Sequence, residues 1–160
     1  MMTLLREFAA YDHWANTRFV ERLTQEPDDT LDALAPSSFP SLRATVLHIR
    51  DAECAWTHRL LNEPVHWPAE TSTAIGTLLP HCARLQDLVM GMDEDELTSE
   101  RAYRDLKGNE HRSPVWRMLM HCFNHSTQHR GQLITQMRML ELERIPANDL
   151  VVFQRSLAAG

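Results

Sequence analysis

The sequence holds no apolar run approaching the roughly 20 residues that a membrane span needs. Its opening, MMTLLREFAAYDHW, lacks a basic segment leading into an apolar one, so no signal peptide is expected and a cytoplasmic location is the default. The cysteines Cys54, Cys82 and Cys122 form no CxxC pair and are odd in number, which favours buried, reduced thiols over a disulfide framework. Basic charge is not concentrated anywhere. The 16 lysines and arginines are scattered, and the net charge is −6, which argues against a nucleic-acid partner. Internal repeats and low-complexity segments are absent too.

What is present suits one globular domain spanning residues 1–160. Apolar residues make up 43% and charged residues 24% of a chain long enough to bury its own core. Leu4, Leu5, Phe8, Tyr11, Ala15, Phe19 and Leu23 step by three and four, which predicts an amphipathic helix over 3–24. The prolines, acids and serines of QEPDDTLDALAPSSFP then predict a loop. A second helix is expected from about Ser41 to the NEPVHWP stretch, and a third over 72–92, kinked or divided at Pro80. ERAYRDLKGNEHRSP reads as a small hairpin about its Lys-Gly-Asn turn. Ser113 and Pro114 read as an N-cap and first helical residue, starting a fourth helix that runs to about Glu143. A short helix from Asn148 closes the chain. Four long helices make an all-α, four-helix-bundle architecture the expectation, without assuring a simple up-and-down order.

The chemistry gathers in MHCFNHSTQHRGQ, residues 120–132. His121, His125 and His129 recur every fourth residue, so the outer two lie about 40° either side of His125 on one helical face. The helical rise separates His121 from His129 by about 12 Å, too far to share one ion. Spacing alone therefore allows a metal on either adjacent pair, or a histidine stripe with no ion at all. A third ligand must come from another helix. His48 is best placed, mid-helix with Ala44, Ala52 and Ala55 nearby; His13, His58, His66, His81 and His111 are alternatives. Met118, Cys122, Gln132 and Gln136 share the ladder's face and suggest a semi-polar interior, where neutral imidazoles need partners. Gly131 would be tolerated in this helix if another backbone approached it closely.

HCFNHSTQHRGQLITQMRMLE, with YDHWANTRF in the first helix and LRATVLHIRDAECAWTHRL in the second, resembles the DinB family of DinB/YfiT-like metalloenzymes over nearly the whole chain. The resemblance implies a DinB/YfiT-like four-helix bundle, commonly a homodimer, holding a divalent metal on three histidines. Carried over by position, those ligands are His48, His125 and His129, with His121 a neighbour and zinc or nickel the metal. Cys122 is a soft donor that could compete for the ion, although a packed thiol is the simpler role.

Three neutral imidazoles leave the ion its full charge and an open position, so hydrolysis and thiol transfer on a small molecule are both accessible. The alternative is a non-catalytic, stress-associated helical dimer with a structural ion, its shell closed by His121 or Cys122. A weaker third reading is a helical interaction module without metal. No catalytic residue is assigned. Glu53 falls on the apolar stripe of the second helix, about 140° from His48, and reads first as a buried carboxylate hydrogen-bonded to Asn16 or Trp14, with a general base behind the metal site or a rotated, exposed position as alternatives. Asp12 and Asp51 are weaker candidates for a general base, since each reads equally as a solvated surface acid. Trp116, Leu119, Phe123, Ile134 and Met137 form a second apolar stripe on the fourth helix, serving either internal packing or a dimer.

Overall fold

The computed structural model describes residues 1–158. Helix α1 (Met2–Leu23) buries Leu5, Ala9, Ala15, Phe19 and Leu23 along one stripe. The segment expected to be a loop contains a five-residue helix, α2 (Asp28–Asp32), too short to show a periodicity. Two acids in its first turn favour the helix N-terminus, and Arg43 pins it by donating to both Asp28 and Asp32. Helix α3 (Leu42–Leu61) starts where Ser41 Oγ accepts from Ala44 N and ends at Asn62, in the left-handed region at φ 58°.

The third long helix begins later than expected. A 3-10 turn at Ile75–Thr77 leads into α4 (Leu78–Gly91), which places Pro80 in the first helical turn. An N–H is unpaired there in any helix, so the proline breaks nothing and causes no kink. Helix α5 (Glu94–Thr98), absent from the sequence reading, is started by a capping box in which Asp93 and Glu96 each accept from the other's backbone.

The hairpin is present, as β1 (Glu100–Arg104) and β2 (Glu110–Pro114), with Arg104 opposite Glu110. Gly108, at φ +86°, supplies the left-handed turn position that only glycine adopts freely. The fold is therefore mostly helical with a small sheet, not all-α. Ser113 and Pro114 belong to β2, so helix α6 (Val115–Met139) starts one residue later than the sequence suggested. It also stops sooner, because Glu141 turns left-handed and Leu142 N returns to Met137 O at 2.9 Å. Helix α7 (Leu150–Leu157) closes the described chain and packs Phe153 against Tyr11 and Trp14.

Helix α1 packs on α4 and α6, and α3 packs on the same two. Consecutive long helices α1 and α3 thus lie across a diagonal, which excludes the simple up-and-down order. Two apolar clusters fill the space between them. One gathers Leu5, Leu85, Val115, Leu119 and Phe123; the other gathers Phe19, Leu42, Ile49, Leu78, Leu133 and Met137. Leu119, Phe123 and Met137 are thus consumed inside the chain, with Trp116 and Ile134 packed against the same clusters. The stripe proposed for a dimer is internal packing.

Between the clusters lies a polar layer. Arg130, wholly buried, donates to Asp12 Oδ1 at 2.6 Å and to Asn16 Oδ1 at 3.0 Å. Glu53 Oε1 accepts from Asn16 Nδ2 at 2.7 Å and from Ser126 Oγ at 3.0 Å. Asp12 is not solvated, nor is Asp51, which accepts from Arg50 and from Ala69 N.

Removing one member of a buried ion pair strands the other charge. Asp12→Ala should lower unfolding free energy by roughly 3–5 kcal/mol, measured by urea denaturation. Gly131, by contrast, faces open space, with nothing within 4 Å of a Cβ built on it, so the close approach expected there does not occur. Gly131→Ala should raise stability by about 1 kcal/mol in the same assay.

Candidate metal centre

The adjacent helices α3 and α6 bring His48, His125 and His129 together, with one ring nitrogen from each lying within 4.8 Å of the others. His125 Nε2 stands 3.0 Å from His48 Nε2 and 3.1 Å from His129 Nε2. Nitrogens bound to one tetrahedral ion at about 2.0–2.1 Å stand about 3.3 Å apart, and the two separations from His125 are close to that.

The protein fixes which lone pairs are offered. Gln132 Oε1 accepts from His129 Nδ1 at 2.8 Å, which puts the proton on Nδ1 and leaves Nε2 bare. Gln132 is held in turn by donating to Ser38 Oγ at 2.7 Å. One helical turn further on, Gln136 donates to the carbonyls of Ala35 and Phe39. That clasp holds Phe39 against His48 and His129, with ring centroids 4.2 and 5.6 Å away.

Burial, then the neighbouring His129, pushes the His48 pKa down to about 4, against a small opposing pull from Asp51. Burial followed by His129, His48 and His121 pushes His125 down to about 3. Both rings are therefore neutral near pH 7, the form that ligates. Without a cation the cluster is poorly satisfied: His125 Nε2 can donate to only one of its two neighbours, and its buried Nδ1 has no partner. Three converging imidazole nitrogens fit a divalent ion.

His121 and Cys122 stay outside this group. The exposed His121 ring packs against Trp56 at 4.8 Å and lies 6.1 Å from the His125 ring. Cys122 is buried in the apolar cluster with Leu119 and Phe123, where burial pushes its thiol pKa well up. The other candidate histidines have different surroundings. His13 meets Gln86, His81 meets Glu70, His111 meets Asp105, His58 faces Glu63 and Arg84, and His66 is exposed.

Glu53 is wholly buried and bonded to Asn16 as expected, while Trp14 packs instead against Tyr11 and Phe153. Burial first, then the Asp12 charge, raises the Glu53 pKa well above the carboxylate range. Its Oε2 has no hydrogen-bond partner. The sequence reading missed Arg130 and gave Asn16 no role beyond Glu53; an Arg one residue after His129 and an Asp-x3-Asn step in α1 were the available signals.

His48 and His125 line a cavity of about 410 Å³. Ala52 and Ala55 hollow it, Trp56 and Trp67 wall it, and the hairpin tip at Asp105–Lys107 and Asn109 overhangs it. The small side chains on α3 thus make space for a ligand.

The model of the DinB family matches residues 1–154. Among solved structures, a DinB-like protein from Bacillus cereus is similar at a TM-score of 0.60 and 19% identity, covering 84% of this chain and 90% of that one. At that identity the likeness concerns the fold alone. No curated protein matches.

The depressed histidine pKa values carry a sign. Unfolded imidazoles titrate near 6.5, so between there and about 4 the unfolded chain binds more protons than the folded one. Stability of the metal-free protein should therefore fall as pH drops through that window. In His125→Asn the fall should be shallower, which thermal melts at stepped pH would show.

Proposed function

The chain belongs to the DinB family, and from that membership and the convergence of His48, His125 and His129 we propose a divalent-metal-binding four-helix bundle acting as a metal-dependent enzyme on a small molecule. One observation carries the reading: three imidazole nitrogens from two helices meet at one point, and two of those histidines line a ligand-sized cavity. In this reading the three histidines hold zinc or nickel, both suited to imidazole donors.

A divalent ion on three neutral imidazoles keeps its full charge and acts as a Lewis acid on an oxygen or sulfur of the ligand, which suits hydrolysis or thiol transfer. The protein's own part is preparation. Gln132 sets the His129 tautomer, Phe39 packs on two of the rings, and Trp56 and Trp67 line the cavity beside them. The cavity favours a catalytic over a purely structural ion, since a structural site has no use for space beside its ligands. Among the described residues no helix is long and apolar enough to cross a membrane.

Elemental mass spectrometry on tag-free protein offered zinc or nickel tests the proposal. About one ion per chain is expected, lost in both His48→Ala and His125→Ala and retained in Cys122→Ala. Absence of stoichiometric metal from the wild type would overturn the reading.

A further inference from the structure

Three cavities flanking the hairpin, of about 820, 300 and 410 Å³, share two lining residues that the metal centre does not use, Arg59 of α3 and Asp105 of the hairpin turn. The Arg59 side chain is packed between aromatic rings, 4.6 Å from the Trp56 centroid and 5.6 Å from that of Tyr103. Only 9% of the residue is exposed. Its Nε donates to Arg104 O at 3.2 Å, and its two terminal nitrogens make no hydrogen bond among the described residues. No carboxylate forms an ion pair with it there.

A guanidinium this deeply placed ordinarily has an acid beside it, because burying an uncompensated charge is unfavourable. Asp105 lies near enough for its charge to favour the Arg59 cation, but the acids lining these cavities direct their hydrogen bonds elsewhere. Asp105 accepts from Lys107 N and Asn109 N on one oxygen and from Asn109 Nδ2 and His111 Nε2 on the other, which locks it into its own turn. Glu63 receives Arg84 on both oxygens, at 3.1 and 2.8 Å. Glu110 receives Arg104. Arg59 thus keeps two donors free of protein partners and lines the cavity that His48 and His125 also line, with aromatic rings that hold it in place.

We propose that Arg59 is an oxyanion receptor, and that the ligand of the His48–His125 cavity is a small molecule carrying a carboxylate, sulfonate or phosphate. Arg59 fixes the charged end by paired hydrogen bonds, and the reacting end reaches the histidine group. The inference deepens the metal-centre reading, and depends on it for the location of the reacting end. The oxyanion contact itself requires no metal.

Two arms test it. In zinc-free wild-type protein, acetate is titrated while the Arg59 Nε–H resonance, assigned through bonds, is followed by NMR. A saturable shift is expected, and an unmoved resonance would overturn the proposal. In zinc-loaded protein, calorimetry compares mercaptoacetate with uncharged mercaptoethanol. Mercaptoacetate should bind about tenfold tighter, the preference should vanish in Arg59→Met with zinc content unchanged, and Arg59→Lys should retain part of it. A preference that persists in Arg59→Met would overturn the proposal. Should the protein take up no zinc, the metal reading fails, and the acetate arm alone decides the role of Arg59.

Discussion

The burial of Arg130 is the constraint on which the rest depends. A guanidinium with no solvent contact must be matched by an acid of fixed position, and Asp12 on α1 is that acid. The match sets the rotation of α6 against α1. His129 precedes Arg130 and His125 precedes Ser126, about 100° away around the helix in each case. Once Arg130 and Ser126 are committed to the polar layer, the two histidines are turned toward α3, where His48 waits. A structural ion pair in the middle of the molecule thus aims a cluster that it never touches.

The same layer explains why α3 is polar at its centre and apolar at its ends. Leu42, Val46 and Ile49 join one apolar cluster and Leu60 the other, with Glu53 between them beside Asn16 and Ser126. Uniform apolar packing would leave the four helices free to slide or rotate by a turn. A layer in which each polar group has a specified partner gives those alternatives a large penalty. Precise placement of the three imidazoles rests on that selectivity more than on the histidines themselves.

The long helices and the histidine face were legible because both follow from a period of 3.6 residues. Which histidines converge was not legible from spacing, since His121, His125 and His129 are equivalent steps on one face. Only the position of α3, a long-range fact, separates them, and the choice of three came from the family resemblance. Asp12 and Asp51 were invisible as interior groups for a related reason: a single charged residue defaults to the surface until its partner is known. Helices α2 and α5 are shorter than any window in which periodicity can be counted, although the Asp93–Glu96 capping box was there to be read. Pro80 misled because its effect depends on where the helix begins, and helix starts without a side-chain cap leave little trace in sequence. Nothing in the structure explains Gly131.

The turn at Asp105–Asn109 is stabilised almost entirely from within, through the hydrogen bonds that its own aspartate accepts. Leu106 and Lys107 at its tip are exposed, yet both line the cavity beside His48 and His125. Substitution at these two positions can reshape the ligand's surroundings while the helical core and the histidines stay as they are. The hairpin is an exchangeable wall, a place where descendants of one ancestral scaffold can diverge in what they accept without renegotiating how they fold.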